Sequence, residues 1–164
     1  MMIAGAGQGG LGLPDRDYYL RTDEKSATLR EQYVAHVAKM LELAGDLPAE
    51  AQAGAQAVMK LETALAEGSK TRAALRDPLA NYHKLAPAAV QALTPNFGWK
   101  AYYARLGLAD PGDIDVGQPE FFQALDKRLV ETPGAEWRTY LRWHVLRTTA
   151  AFGLIPCGSG NGLG

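Results

Sequence analysis

Thr22-Asp23-Glu24-Lys25-Ser26-Ala27-Thr28-Leu29-Arg30-Glu31-Gln32-Tyr33-Val34-Ala35-His36-Val37-Ala38-Lys39-Met40-Leu41-Glu42-Leu43-Ala44-Gly45 carries the pattern that decides the fold. Leu29, Tyr33, Val37, Met40, Leu41 and Ala44 fall on one stripe of a helix with 3.6 residues per turn. Thr22 or Asp23 supplies an oxygen for the first free backbone amides, and Gly45 stands where a helix ends in a left-handed residue. The periodicity continues downstream. Pro48 suits a first helical turn, and Ala51, Ala55, Val58, Leu61 and Leu65 form the next apolar face before Gly68 stops it. From Ser69 to Pro95 the pieces shorten, because Pro78, Pro87 and Pro95 each disfavour helical geometry in the residue before them. A helix is predicted from about Phe97 to Leu106, ending at Gly107, with a turn at Pro111-Gly112-Asp113. Gln118-Pro119 opens another, with Phe122, Leu125 and Leu129 on one face. A last helix from near Gly134 is expected to bury Trp137, Tyr140, Leu141, His144 and Thr148, with Trp143, Leu146 and Ala150 making a second apolar face. Period-2 alternation is nearly absent and no internal repeat is visible, so the chain reads as all-α.

Composition sets the outer limits. The chain has 164 residues, Lys+Arg 17 against Asp+Glu 18, and 47% hydrophobic content: one globular domain or a piece of a larger one. A net charge of -1 gives no electrostatic case for nucleic acid or an anionic membrane. No apolar run approaches the roughly 20 residues that cross a bilayer. The chain as given lacks a basic region followed by an apolar core, so no signal peptide is expected in it and the compartment stays unknown. Of the 18 glycines, five lie in residues 1–12 and five in 153–164. Glycine is costly inside helices, so the expected organisation is an irregular Gly-rich lead-in over 1–12, a helical segment over 13–152 and an irregular Gly-rich tail over 153–164.

Chemistry is sparse. Gly5-Ala6-Gly7-Gln8-Gly9-Gly10 fits the dinucleotide pattern G-x-G-x-x-G, but too few residues precede it for a full strand and Pro14 follows where the helix should run. Gly68-Ser69-Lys70-Thr71 lacks the glycine directly before Lys that a phosphate-binding loop requires, and reads as a helix stop and cap. The histidines are His36, His83 and His144, with no pair at i, i+4 to share a metal. His36 and His144 read as core or boundary residues, and His83 as a surface or packing residue. Cys157 has no basic neighbour to activate it. Asp15, Arg16, Asp17, Tyr18 and Tyr19 are the densest functional-looking cluster; an acid and base pair is one reading, and the favoured one is an ion pair or turn cap with the tyrosines as anchors. No catalytic, cofactor-binding or metal-ligating residue is assigned at any position.

The run Gln8-Gly9-Gly10-Leu11-Gly12-Leu13-Pro14-Asp15-Arg16-Asp17-Tyr18-Tyr19-Leu20 resembles a signature of the neprilysin and endothelin-converting-enzyme family of zinc metallopeptidases. Tyr33-Val34-Ala35-His36-Val37 before Met40-Leu41, Met59-Lys60-Leu61-Glu62, Arg76-Asp77-Pro78 before Asn81-Tyr82-His83-Lys84, Gln118-Pro119-Glu120-Phe121-Phe122 and Tyr140-Leu141-Arg142-Trp143-His144 are similar to bacterial members in the family's order. The resemblance implies a multi-helix partial lobe, with Pro/Gly-rich connections, from the lobe that caps a substrate chamber. It also implies that zinc, expected at full length, is held by His-Glu-x-x-His and a later Glu-x-x-x-Asp outside this stretch. The His pair is absent from the sequence. Glu42-Leu43-Ala44-Gly45-Asp46 matches the second motif by coincidence, closing a helix with no His pair to complete.

The expectation is therefore a fragment of a neprilysin-like zinc metalloendopeptidase acting on oligopeptides at full length. This portion limits access, is inactive alone, and has the missing catalytic lobe as its partner. The tail 153–164 departs from the family, which motivates a truncated or frame-shifted reading frame as its origin. Apolar faces left without partners predict self-association, the second face of the last helix first. The alternative is a free-standing helical interaction module that binds a partner or complements a separate peptidase lobe. A third reading, a metal site shared across an oligomer by His36, His83 or His144, is testable by elemental analysis.

Overall fold

The computed structural model describes residues 3–108 and 110–150. In chain order its elements are β1 (Ala4–Ala6), α1 (Asp17–Leu20), α2 (Glu24–Leu43), α3 (Pro48–Glu67), a 3-10 turn (Ala74–Arg76), β2 (Lys84–Leu85), α4 (Pro87–Leu93), α5 (Trp99–Arg105), β3 (Ile114–Val116), α6 (Pro119–Glu131) and α7 (Gly134–Ala150). The fold is predominantly helical, as the periodicity predicts. It divides into two units, Arg21–Glu62 with Pro133–Gly164, and Met1–Leu20 with Thr63–Thr132, so α3 contributes residues to both. The tail 153–164, with Cys157, lies outside the described residues.

The first unit consists of α2, α7 and most of α3. Asp23 caps α2: one carboxylate oxygen accepts the Ser26 amide at 3.0 Å and the other accepts the Ser26 hydroxyl at 2.9 Å. Those bonds, the amide's first, hold the Asp23 carboxyl below the usual carboxylate range. The helix ends at Gly45 with φ +102°, a left-handed conformation that glycine adopts without a side-chain clash. Tyr33, Val37 and Leu41 of the expected stripe are buried, joined by Val34 and Ala38, while Leu29, Met40 and Ala44 are half-buried at its margin. On α3 the expected Ala51, Ala55, Val58 and Leu61 are all buried. Gly54 allows a close approach there, since a methyl group would stand 3.1 Å from both Leu41 Cδ1 and Thr139 Cγ2.

The register of α7 differs from expectation. Tyr140 and Trp143 are its buried residues, His144 is half-buried, and Leu141 and Thr148 face solvent. Apolar side chains surround this helix and define no unique stripe, so rotation is decided by what burial removes from water. Two large aromatics outweigh one leucine. Arg142 fixes the same rotation, its guanidinium lying 2.6 Å from the Asp46 carboxylate and 3.0 Å from the Ala44 carbonyl.

The second unit holds a small sheet that the sequence pattern does not announce. Strand order is β1-β3-β2, with β1 parallel to β3 (Ala4 opposite Ile114, Ala6 opposite Val116) and β2 antiparallel to it (Leu85 opposite Ile114). Ala4–Ala6 thus leaves the lead-in expected to be irregular and enters the sheet. These strands span two or three residues, too few for alternation to register. Ile114 and Val116 are buried, and α4 packs against β2, β3, α5 and α6. The expected helix over about 97–106 is α5, beginning at Trp99 and closed by Gly107 with φ +76°. Trp99 stacks on Tyr103 at 5.6 Å and donates its indole N–H to Thr94 Oγ1 at 2.6 Å. Asp126, buried on α6, accepts the Asn96 amide at 2.9 Å and the Asn96 side-chain amide at 2.8 Å, which ties the loop before α5 to α6.

Candidate functional site

The Leu13–Tyr19 segment is wired by short bonds. Asp15 accepts the Asp17 amide at 2.9 Å, turning the chain into α1, and its second oxygen lies 3.4 Å from Nε of Arg72. Tyr19 is buried, and its hydroxyl accepts the Leu13 amide at 2.7 Å. Asp17 is exposed. The two carboxylates do not form an acid and base pair: one is a turn cap with a cation partner, the other a solvated first-turn residue.

The Gly-rich stretch next to it has no nucleotide context. Gly5 pairs with Asp115 in the sheet, and the next helix, α1, begins only at Asp17. Gln8 instead clamps the Ser69-Lys70 turn. Its side-chain oxygen accepts the Lys70 amide at 2.7 Å, its side-chain nitrogen donates to the Lys70 carbonyl at 3.0 Å, and its backbone amide donates to the Gln118 side chain at 2.8 Å. Ser69 donates its hydroxyl to the Leu65 carbonyl at 2.9 Å, and Thr71 accepts the Ala74 amide at 3.2 Å, so Gly68-Ser69-Lys70-Thr71 does stop one helix and cap the next turn. A cavity of about 280 Å³ opens here, with Gln8, Asp15, Arg16, Ser69, Lys70 and Arg72 on its wall.

In the helical unit the structure assembles a polar cluster that the sequence reading missed. The Glu62 side chain has no solvent exposure, and its carboxylate accepts the Tyr33 hydroxyl at 2.9 Å and lies 3.1 Å from Nε2 of His144. With Glu62 as acceptor, Nε2 carries the proton. Trp143 donates its indole N–H to the Tyr33 oxygen at 2.9 Å, and the Tyr140 ring lies 4.5 Å from that of His144. Burial, and next the Glu62 charge, pushes the Tyr33 and Tyr140 phenols well above their ordinary range. The signal was present: Glu62 falls four residues after Val58 and three before Leu65, an acid on an apolar stripe, and Tyr33 and His144 occupy stripe positions on their own helices.

The histidines remain apart in role. His144 serves Glu62, and His36 is exposed with its ring edge against Trp143. His83 lies on the sheet, its amide donating to Asp115 at 2.9 Å and its Nδ1 lying 2.9 Å from the Val116 carbonyl. Glu42 and Asp46, the chance match to a zinc motif, are paired with Lys39 at 3.2 Å and Arg142 at 2.6 Å. Among the described residues no group of three or more His, Cys, Asp or Glu side chains is placed to hold a metal ion. Nor, among them, is any helix long and apolar enough to cross a membrane.

Comparison with known proteins decides the family. The sequence profile of peptidase family M13 matches residues 1–154. The chain belongs to peptidase family M13. This M13 chain is 29% identical over 153 residues to endothelin-converting enzyme 1 of Cavia porcellus, covering 88% of the chain and 20% of that protein. It is 29% identical over 152 residues to the Homo sapiens enzyme, covering 88% of the chain and 19% of that protein. Among solved structures, Mycobacterium tuberculosis zinc metalloprotease Zmp1 with an inhibitor matches at a TM-score of 0.82 and 27% identity, over 90% of this chain and 23% of that one. The open state of the same protein matches at 0.83 and 27%, with the same coverage. The M13 chain thus spans about a fifth of the length of the curated relatives it matches. It corresponds to the N-terminal domain of the M13 zinc peptidases, and no ligand set for their metal lies among its described residues.

Proposed function

We propose that this chain is part of the capping lobe of a neprilysin-like zinc metalloendopeptidase that cleaves oligopeptides, and that its role is to restrict what reaches the catalytic chamber. The observation carrying this reading is the match of the M13 profile to residues 1–154. Hydrolysis by this route needs a Lewis acid, a bound water and a carboxylate base. Tyr33, Glu62 and His144 bond to one another and Asp15 to Arg72, so none of them supplies that set. The test compares this chain alone with a full-length protein that contains it. The full-length protein should cleave short peptides, spare folded proteins and lose activity to a chelator, while the chain alone should cleave nothing. Peptide turnover by the isolated chain, with stoichiometric zinc, would overturn the proposal.

A second reading has its own observation. Leu141 and Val145, one turn apart on α7, are 58% and 59% exposed. Apolar residues so spaced suit docking of a partner segment. Mixing this chain with a separately expressed catalytic lobe separates the readings: restored peptidase activity favours complementation, and unchanged activity favours a fragment.

A further inference from the structure

Three cations line the cavity beside the Leu13–Tyr19 segment, and two are accounted for. Arg72 lies 3.4 Å from the Asp15 carboxylate. The Lys70 ammonium donates at 3.3 Å to the Ala80 carbonyl and to Asn81 Oδ1, with Glu120 at 3.9 Å. Arg16 is different. Its Nε is shielded from solvent with no hydrogen-bond partner, and no carboxylate among the described residues pairs with its guanidinium. A lysine in that position could shed its proton; a guanidinium cannot, so its charge and its fork of donors persist. Gln8 and Ser69 spend their side-chain donors on the Lys70 and Leu65 carbonyls, so that on this wall the Arg16 Nε stands out as a shielded donor without a partner.

We infer that this cavity is a carboxylate-binding site with Arg16 as its anchoring cation. One guanidinium fork matches one planar monoanion in bidentate geometry. A phosphate dianion fits less well, because Asp15 stands on the same wall and already neutralises Arg72. A volume of about 280 Å³ admits a ligand the size of a small organic acid or one acidic side chain. The carboxylate comes either from a free small acid or from a Glu or Asp of a polypeptide lying against this face. The inference does not rest on the access-limiting reading.

The test uses the intact chain with ¹⁵N-labelled arginine, following the side-chain Nε resonances while adding acetate, the α-amide of N-acetylglutamate, its glutamine counterpart and inorganic phosphate. A saturable shift of the Arg16 resonance is expected with carboxylate probes and not with the glutamine compound. Acetate binding as tightly as the glutamate compound assigns a free acid; tighter binding of the glutamate compound assigns a polypeptide side chain. Arg16→Gln should weaken binding at least tenfold, about 1.4 kcal/mol. If that variant is unfolded by circular dichroism, the parent's Arg16 resonance decides alone. No saturable shift with either carboxylate, an equal response to the glutamine compound, or tighter binding of phosphate would overturn the assignment.

Discussion

The Glu62 carboxylate accepts the Tyr33 hydroxyl at 2.9 Å in a site where Glu62 has no contact with solvent. A buried charge of this kind holds its partners as firmly as they hold it. Removing it leaves the Tyr33 hydroxyl and the His144 N–H facing one another without an acceptor. Glu62→Ala should therefore cost about 1–3 kcal/mol, the range for leaving a buried donor without its partner. Urea denaturation measures it, and a loss under about 1 kcal/mol would show that the cluster adds little.

Alkaline pH should weaken the same unit. The Tyr33 and Tyr140 phenols are raised in the folded state, by burial first and the Glu62 charge second. A group whose folded value is raised contributes stability in full below its unfolded value, about 10 for tyrosine, and loses it as pH rises beyond. Tm should fall steeply above that point, and Tyr33→Phe should flatten the fall at the cost of stability at neutral pH. Equal alkaline slopes for parent and variant would contradict this origin.

At the acid end Asp23 is the relevant group. Its carboxyl is depressed by the bonds from Ser26, so its contribution is present above the ordinary Asp range and lost as pH falls through it. Asp23→Ala should lower Tm at neutral pH, and the gap from the parent should close in acid. A gap independent of pH would mean that the cap acts without its charge.

Gly68 is predicted to tolerate no side chain. A methyl group there would come 2.6 Å from the Ala124 methyl, a separation that forces α3 or α6 to shift. Gly68→Ala should destabilise by about 1–3 kcal/mol through overpacking. Crystallography or chemical denaturation of the variant checks it.

Leu141 and Val145 should govern self-association. Replacing both with lysine is expected to leave Tm nearly unchanged, because exposed positions away from specific bonds shift stability by about 0.5 kcal/mol or less. Sedimentation should then show more monomer. Unchanged association would move the sticky surface elsewhere.

The sequence was most readable where one pattern ruled. On α2 the Asp23 cap, apolar stripe and Gly45 agree, on α3 Pro48, apolar stripe and Gly68 agree, and Val37, Leu41, Ala55 and Val58 are buried as their spacing requires. It was less readable on α7, where apolar residues on most sides left rotation to Trp143 and the Arg142–Asp46 pair, both long-range facts. The strands were hidden for a related reason: Ala4–Ala6 has no pattern of its own and becomes a strand through β3. Glu62, His144 and Tyr33 were each visible as polar groups on apolar faces, but their convergence is tertiary information. Arg16 lies in the Leu13–Tyr19 segment, yet nothing local shows that its Nε would be shielded without a partner.

The bond between Gln8 and Gln118 joins residues 110 positions apart. A nascent chain leaving the ribosome presents Ala4–Ala6 long before Ile114 and Gln118 exist to receive it. Until then Ala4–Ala6 has no edge to join, whereas α2 and the start of α3 emerge together and coil at once from local contacts. Translation therefore delivers these elements out of spatial order, with β1 seated only after β3 has been made.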